Sequence, residues 1–246
     1  MAGKKRTKKQ KKALKQWLLA LFLGALLLTA LALGLKGCAP EAPPPSPDPI
    51  PGIDVSSHQG VIDWPAVAES GVEFAIIRLG YRSYRDGTLH IDEQAVYNLT
   101  EARSAGLRIG AYFFSQALNA REAAEEAALA LEVLDGMELD LPLAYDWEYV
   151  AESARTGAME KDTLTACVKT FCGAAEAAGY EPMVYFNLEL SKTLLDVEEA
   201  ARYGFWFAQY AEAPELTAPI RFWQYSDEGE IPGITEKVDL NWYYPE

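Results

Sequence analysis

The chain has 246 residues and a formal net charge of −14, and its charges are unevenly distributed. Nine of its 22 basic residues precede residue 37, whereas 34 of its 36 acidic residues follow residue 50. The strongly acidic C-terminal part excludes a nucleic-acid partner, because phosphate backbones are bound through basic surfaces. The three cysteines form neither a disulfide framework nor a Cys-x-x-Cys metal pattern, and we predict that Cys167 and Cys172 are buried thiols on a helix.

The first 51 residues lack the composition of a globular domain. Residues 1–16 are strongly basic, residues 17–35 carry no charge, and residues 36–51 are rich in proline. A helix over the uncharged stretch would span about 28 Å, close to the hydrocarbon thickness of a bilayer. We therefore predict a cytoplasmic basic segment, a single transmembrane signal-anchor helix and a stiff linker, which place a globular domain over residues 52–246 on the outer side of the cell membrane. A lipid anchor on Cys38 and a cleaved, secreted form are the alternatives.

From residue 52 onward, short apolar runs alternate with amphipathic segments. The predicted strands cover residues 52–57, 74–81, 108–115, 141–148, 182–187, 205–210, 221–226 and 238–243. The predicted helices cover residues 63–71, 92–105, 119–135 and 160–178. Nearly continuous apolar strands between helices are typical of a parallel sheet, and this number of strands indicates an irregular TIM-like (β/α) barrel of the α/β class with fewer than eight full helices. An open doubly wound sheet is the alternative, but no glycine-rich loop follows the first strand.

Two acids interrupt the apolar strand within LPLAYDWEYV, residues 141–150. Asp146 and Glu148 are two residues apart, so their side chains share one face of the strand. At the C-terminal mouth of a barrel, burial and mutual repulsion would raise the pKa of at least one carboxyl group, as a general acid requires. Asp54 and Asp239, on the first and last predicted strands, would join them there. The alternative is a pair of salt-bridged surface acids on an edge strand, which the flanking aromatic residues disfavour.

Aromatic and amide side chains also crowd the predicted strand ends. Flat rings suit the apolar faces of sugars, and amide groups bind sugar hydroxyl groups. The candidates for substrate binding are Tyr81, Tyr112, Tyr185, Asn187, Gln209 and Gln224. For part of the aromatic set, a position in the core is the alternative.

Five stretches span most of residues 52–243 in order: GIDVSSHQGVIDW, FAIIRLGYRSYRDGTLHID, GAYFFSQA, PLAYDWEYV and FWQYSDEGEIPGITEKVDLNWY. Together they resemble glycoside hydrolase family 25, the lysozymes of the Chalaropsis type. The resemblance implies an N-acetylmuramidase that cuts the β-1,4 bond between N-acetylmuramic acid and N-acetylglucosamine in bacterial peptidoglycan. Together with the anchor predicted from residues 17–35, it indicates a membrane-anchored bacterial member of the family. One departure is Phe113, because relatives often carry a histidine after the tyrosine of the third strand.

The resemblance also implies roles for the four acids. Glu148 would be the general acid that protonates the leaving oxygen, and Asp146 would assist the N-acetyl group of the substrate or act at the anomeric centre. Asp54 and Asp239 would complete an acidic floor that holds the sugar or stabilises an oxocarbenium-like transition state. We expect a monomer that needs no cofactor and no metal, and whose partners are peptidoglycan glycan strands and the membrane.

A noncatalytic glycan-binding domain on the same barrel is the main alternative. It is disfavoured because all four acids are present and none is exchanged for Asn or Gln. A metal-dependent deacetylase would need a cluster of histidine and aspartate ligands, and the domain has only His58 and His90. A serine hydrolase would need a G-x-S-x-G elbow, which the sequence lacks.

Overall fold

The computed structural model describes residues 48–150 and 155–245, and a closed barrel forms the centre of this part of the chain. The strands are β1 (Ile50–Val55), β2 (Phe74–Arg82), β3 (Leu89–Ile91), β4 (Arg108–Ser115), β5 (Leu143–Trp147), β6 (Pro182–Asn187), β7 (Phe205–Ala208), β8 (Phe222–Gly229) and β9 (Val238–Tyr243). The barrel closes in the order β1-β2-β4-β5-β6-β7-β8-β9, because β9 pairs back onto β1. The prediction of an eight-stranded α/β barrel is confirmed.

The last strand corrects the prediction of a parallel sheet. All pairs from β1 to β8 around the barrel are parallel, whereas β9 is antiparallel to both β8 and β1. Only residues 230–237 link β8 to β9, too few for the crossover that a parallel return requires. The reversal brings Asp239, near the start of β9, to the rim where the other strands end, and Asp239 lies opposite Asp54 in the register.

A short hairpin that the sequence did not predict follows β2. In this hairpin β3 runs antiparallel to β2 and pairs His90 with Tyr81. Gly80 permits the close approach, since a β-carbon at this position would lie 2.5 Å from the His90 carbonyl oxygen. The hairpin therefore stands at the barrel mouth and supplies part of its wall.

Helices follow most of the strands. They are α1 (Trp64–Glu69), α2 (Ala95–Ser104), α3 (Ala120–Leu134), α4 (Lys161–Ala177), α5 (Leu188–Thr193) and α6 (Val197–Ala200). Four of them begin at a side chain that accepts a hydrogen bond from the backbone amide three residues ahead, namely Asp63, Asn119, Asn187 and Asp196. The connections after β7 and β8 contain no helix, so the barrel has fewer than eight helices, as predicted. Cys167 and Cys172 are buried free thiols on α4, also as predicted.

The barrel wall separates two apolar layers. Alternate strand positions point inward and fill the interior, with Phe74, Ile76, Tyr112, Ala144, Met183, Tyr185, Trp206, Ala208 and Phe222, and Leu141 just before β5 packs with them. The intervening positions pack against the helices; the Phe113 ring, for example, is fully buried with its centroid 6.4 Å from that of Phe171 on α4. Because Phe113 faces the helix layer, a phenylalanine in place of the histidine common in relatives removes nothing from the barrel mouth.

Within the described ranges, no helix is both long and apolar enough to cross a membrane. The predicted anchor at residues 17–35 lies outside those ranges, as do the basic segment before it, Cys38 and most of the proline-rich linker. The membrane anchor and the alternative lipid anchor therefore stay predictions from the sequence.

Candidate active site

A cleft of about 670 Å³ opens at the mouth of the barrel, where the parallel strands end. The four predicted acids all line it: Asp54, Asp146, Glu148 and Asp239. They come from β1, from β5, from the position after β5 and from β9. Strand direction explains this convergence, because parallel strands finish at one rim and the reversed β9 starts there.

Asp54 is held by two amide side chains at the floor of the cleft. Gln224 Nε2 and Asn241 Nδ2 donate to Asp54 Oδ2 at 2.9 and 2.7 Å. The Trp206 indole N–H donates to Asn241 Oδ1 at 2.8 Å, and the Tyr185 hydroxyl donates to Gln224 Oε1 at 3.1 Å. These bonds orient both amides as donors to Asp54, and such donors favour the ionised form of the carboxyl group.

Asp54 and Asp239 lie opposite each other in the register of β1 and β9, and their carboxyl groups influence each other's ionisation. Burial, followed by the negative charge of Asp54, raises the pKa of Asp239 to about 8. Burial also raises the pKa of Asp54, but the amide donors oppose it and the pKa reaches only about 6. The amide donors therefore make Asp54 the more acidic member of the pair, and burial with mutual repulsion favours a state in which the pair holds a single proton near neutral pH.

Replacing Asp239 by asparagine is expected to stabilise the fold above mildly acidic pH. The Asp239 carboxyl group has an ordinary pKa of 3.8, but its pKa in the fold is about 8. The folded state binds the proton more tightly, so the free energy of unfolding of the wild type falls as the pH rises between these two values. Asparagine cannot ionise, and the stability advantage of Asp239→Asn should therefore be absent below the lower value and grow up to the higher one.

Thermal unfolding midpoints of both proteins at acidic, neutral and mildly alkaline pH measure this difference. Glu132→Gln, on an exposed face of α3, makes the same chemical change away from the cleft and serves as the control. A stability difference between Asp239→Asn and wild type that is the same at every pH contradicts the prediction.

Asp146 lies within the sheet and is almost fully buried. It pairs with Phe114 on β4 and with Tyr185 on β6. Burial first, and then the charges of Glu148 and Asp54, raise the pKa of Asp146. Its Oδ1 atom has no hydrogen-bond partner among the residues that the structure describes. A buried carboxyl oxygen without a donor costs free energy, which a ligand that supplies an N–H or O–H group would recover.

Glu148 is the first residue after β5 and is half-buried at the side of the cleft. Burial, followed by the charge of Asp239, raises the pKa of Glu148 to about 7. A carboxyl group with this pKa is still largely protonated in mildly acidic solution and can transfer its proton to a leaving group. Of the two acids at the end of β5, Asp146 is almost fully buried and Glu148 only half-buried, so Glu148 is the more accessible one for proton donation.

Four of the six residues predicted to bind substrate line the cleft, namely Tyr81, Tyr112, Tyr185 and Gln224. The remaining two, Asn187 and Gln209, are not among its lining residues. Asn187 ends β6, but its Oδ1 accepts from the Leu190 amide at 3.0 Å and so caps α5. Gln209 lies beyond the end of β7, where its amide group donates to Glu215 and accepts from the Glu215 backbone, both at 2.8 Å. The prediction placed both residues at the site because they lie at strand ends. In the structure their side chains instead form hydrogen bonds within the segments that follow β6 and β7.

Arg78 is a buried residue of the cleft that the pattern of strand ends does not identify. It lies inside β2, where Nε donates to Asp92 Oδ2 at 2.8 Å and Nη2 donates to Ser57 Oγ at 3.2 Å. Its guanidinium group also lies 5.2 Å from the centre of the Tyr81 ring. The positive charge opposes the rise in the pKa of Asp146. The available sequence signal was a lone arginine within the apolar run FAIIRLGY.

Further aromatic side chains complete the cleft wall. Phe114, Trp206 and Tyr210 line it, and Tyr210 donates from its hydroxyl to Gln224 Oε1 at 3.3 Å. On the hairpin, the His90 ring stacks on Tyr81 with centroids 4.8 Å apart. The cleft therefore offers several flat aromatic faces in addition to its four acids.

A cleft that joins four carboxyl groups to aromatic and amide side chains, at the mouth of an α/β barrel, defines a glycoside hydrolase. The acids can donate a proton and stabilise positive charge, and the rings and amides can hold a sugar. Comparison with known families agrees, since residues 53–234 match the model of Glycosyl hydrolases family 25. The chain belongs to this family.

Lysozymes are among the relatives of the chain. The autolytic lysozyme of Clostridium acetobutylicum is 30% identical over 196 residues, which cover 77% of this chain and 54% of that protein. Lysozyme M1 of Streptomyces globisporus is 27% identical over 265 residues, which cover 89% of this chain and 88% of that protein. The chain thus spans about half the length of the first relative and most of the second.

Solved structures of lytic enzymes share the fold. The bacterial lysozyme from Streptomyces coelicolor superposes with a TM-score of 0.71 at 26% identity, over 81% of this chain and 94% of that one. The modular autolysin LytC from Streptococcus pneumoniae, solved in complex with a synthetic peptidoglycan ligand, gives a TM-score of 0.71 at 29% identity. The match covers 80% of this chain and 47% of LytC.

Proposed function

We propose that this glycoside hydrolase is a lysozyme, which cleaves the β-1,4 bond between N-acetylmuramic acid and N-acetylglucosamine in peptidoglycan. The observation that carries the proposal is that Glu148 and the buried Asp146 line the same cleft of about 670 Å³. The pKa of Glu148 is raised to about 7, as a general acid requires. The lysozyme relatives support it, as does the pneumococcal autolysin that was solved with a peptidoglycan ligand.

In the proposed reaction Glu148 donates its proton to the glycosidic oxygen while the bond from that oxygen to the anomeric carbon breaks. The unpartnered Oδ1 of Asp146 accepts the N–H of the 2-acetamido group, which turns the acetamide oxygen toward the anomeric carbon. In the alternative route, the carboxylate of Asp146 acts at the anomeric carbon directly. In both routes the ionised Glu148 then takes a proton from the water that completes hydrolysis.

Asp54 and Asp239 support the charge that develops on the sugar ring. Asp54 is the acid of the floor that the amides of Gln224 and Asn241 keep in the ionised form, and a fixed negative charge stabilises an oxocarbenium-like transition state. Asp239 carries the shared proton near neutral pH, and so adds a donor to the floor without a second full charge.

Mass spectrometry of peptidoglycan fragments after digestion by the purified protein tests the function. The proposal requires fragments that end in a reducing N-acetylmuramic acid. Fragments that end in reducing N-acetylglucosamine would assign the cut to the other glycosidic bond. Binding to peptidoglycan without any new reducing end would indicate the noncatalytic glycan-binding alternative.

We also propose that the enzyme acts on the outer side of the cell membrane, tethered by residues 17–35. The support comes from composition, since a basic segment, an uncharged stretch of bilayer length and a proline-rich spacer follow one another.

Protease added to intact cells is expected to release the catalytic domain by cleavage within residues 36–51, because proline-rich sequences generally adopt extended conformations that proteases reach more easily than a folded barrel. Immunoblotting of the released fragment measures this, with a cytoplasmic protein as the control for cell integrity. A domain that is cut only after lysis contradicts the proposed orientation.

A further inference from the structure

Asp146 and Glu148 are two residues apart, but only Asp146 lies within the sheet. On the β4 side the pairing of β5 ends with Trp147 opposite Ser115, and on the β6 side it ends with Asp146. Glu148 is therefore the first residue beyond the paired strand. Contacts other than strand pairing have to set the direction of its main chain, and with it the direction of its carboxyl group.

Gln116 supplies such a contact. Its Nε2 donates to the main-chain carbonyl of Glu148 at 2.6 Å and to the carbonyl of Ser115 at 2.9 Å. Within residues 48–150 and 155–245, no other side chain donates a hydrogen bond to the main-chain carbonyl of Glu148. Gln116 is fully buried, so water cannot take over its hydrogen bonds if the amide group is removed.

The position of Gln116 is itself fixed from several sides. Thr156 Oγ1 donates to Gln116 Oε1 at 3.5 Å, and Arg155 Nη1 donates to the Gln116 main-chain carbonyl at 2.8 Å. Arg155 also lies 2.9 Å from both carboxylate oxygens of Glu122 on α3. Gln116 thus joins the end of β4 to Glu148 on one side and to residues just before α4 on the other.

We propose that Gln116 is a positioning residue: its side-chain amide fixes the main chain of Glu148 and thereby aims the carboxyl group of the general acid at the glycosidic oxygen. The inference rests on the proposed function, in which Glu148 is that acid. Gln116 is not among the residues that line the cleft, so it acts through Glu148 and not on the sugar. Proton transfer requires heavy atoms within about 3 Å, and a misplacement of about 1 Å can cost about 100-fold in rate.

Gln116→Met tests the inference, because methionine has a similar length and no amide donor. We expect kcat to fall about tenfold or more, while KM stays within about twofold because the residues that bind the sugar are unchanged. Released from its anchor, Glu148 becomes better solvated, which lowers its pKa. The alkaline limb of the pH–rate profile should therefore move to lower pH.

Asn98→Leu is the matched control. Asn98 is a fully buried amide on α2, where its Oδ1 accepts from the Trp64 indole N–H at 3.2 Å. Its loss should lower the unfolding temperature and leave kcat and the alkaline limb at wild-type values. If Gln116→Met shows that same pattern, with reduced stability and unchanged kcat and pH profile, Gln116 is merely structural and the inference is overturned.

Gln116→Glu provides a second test that does not depend on the folding of the methionine variant. A protonated glutamic acid can donate to the Glu148 carbonyl, whereas an ionised one cannot. The kcat of this variant relative to wild type should rise as the pH falls, at pH values where circular dichroism shows both proteins folded. A ratio that does not change with pH overturns the inference. Failure of the proposed function has a different signature, since wild type itself would then release no reducing-end N-acetylmuramic acid.

Discussion

The Glu148→Gln variant is expected to lose cell-wall lysis while it keeps the thermal stability of the wild type. Glutamine has the shape of glutamic acid but no proton to give to the leaving oxygen, and loss of a general acid costs about 10²- to 10⁴-fold in rate. Glu148 is half-buried, and burial already disfavours its charged form, so a neutral amide is tolerated in its place. Turbidity loss of peptidoglycan suspensions and thermal unfolding measure the two halves of this prediction.

The wild-type pH profile gives a linked expectation for Glu148. Only the protonated acid is competent, and its pKa is raised to about 7, so the rate should fall as the pH rises through that value. Glu101→Gln, on an exposed position of α2, is the control and should retain full lysis. A Glu148→Gln variant that still clears peptidoglycan would remove this residue from the role of general acid.

Asp146→Asn is expected to lower turnover by about 100-fold or more, the usual effect of removing one preorganised electrostatic group from a transition state. Asparagine keeps an oxygen at the position of the unpartnered Oδ1, but it cannot ionise, and so at no pH does it supply negative charge to the acetamide or the anomeric centre. The acid limb of the pH–rate profile should also change, because this limb reports a carboxyl group that must be ionised. Steady-state kinetics on soluble glycan fragments across pH measure both effects.

The change in KM shows whether Asp146 acts in the transition state or in substrate binding. A raised KM with an unchanged kcat indicates lost binding of the substrate. A fall in kcat with a nearly constant KM indicates an interaction made only in the transition state. Thermal unfolding of the variant is the control for fold integrity, because Asp146 lies inside β5. An unchanged rate together with an unchanged acid limb would exclude Asp146 from the mechanism.

Much of the barrel could be predicted from local patterns. Apolar runs such as FAIIRLGY and RIGAYFFS have the length and composition of buried strands, and the structure forms β2 and β4 there. The period of two also predicted that Asp146 and Glu148 face the same way, and both line the cleft, although β5 ends at Trp147 and Glu148 follows it. Such features depend on residues close in sequence, for which the backbone geometry is known in advance.

The direction of the last strand and the use of single polar residues could not be predicted in this way. Alternation along VDLNWY is the same in either direction, so only the short link after β8 and pairing with β1 make β9 antiparallel and bring Asp239 opposite Asp54. Asn187 and Gln209 look like the other strand-end residues, but one caps a helix and the other binds its own loop.

The sequence by itself therefore determined the class of fold, the family to which the chain belongs and the choice of the four acids that line the cleft. These features follow from short-range periodicity and from linear motifs. Tertiary structure alone decided which polar groups meet. Arg78 bonds to Asp92 across a hairpin, and Gln116 bonds to the carbonyl of Glu148 across 32 residues of chain. Such partners are chosen by register and strand order, which bring distant segments within hydrogen-bonding distance and leave no periodic trace in the sequence.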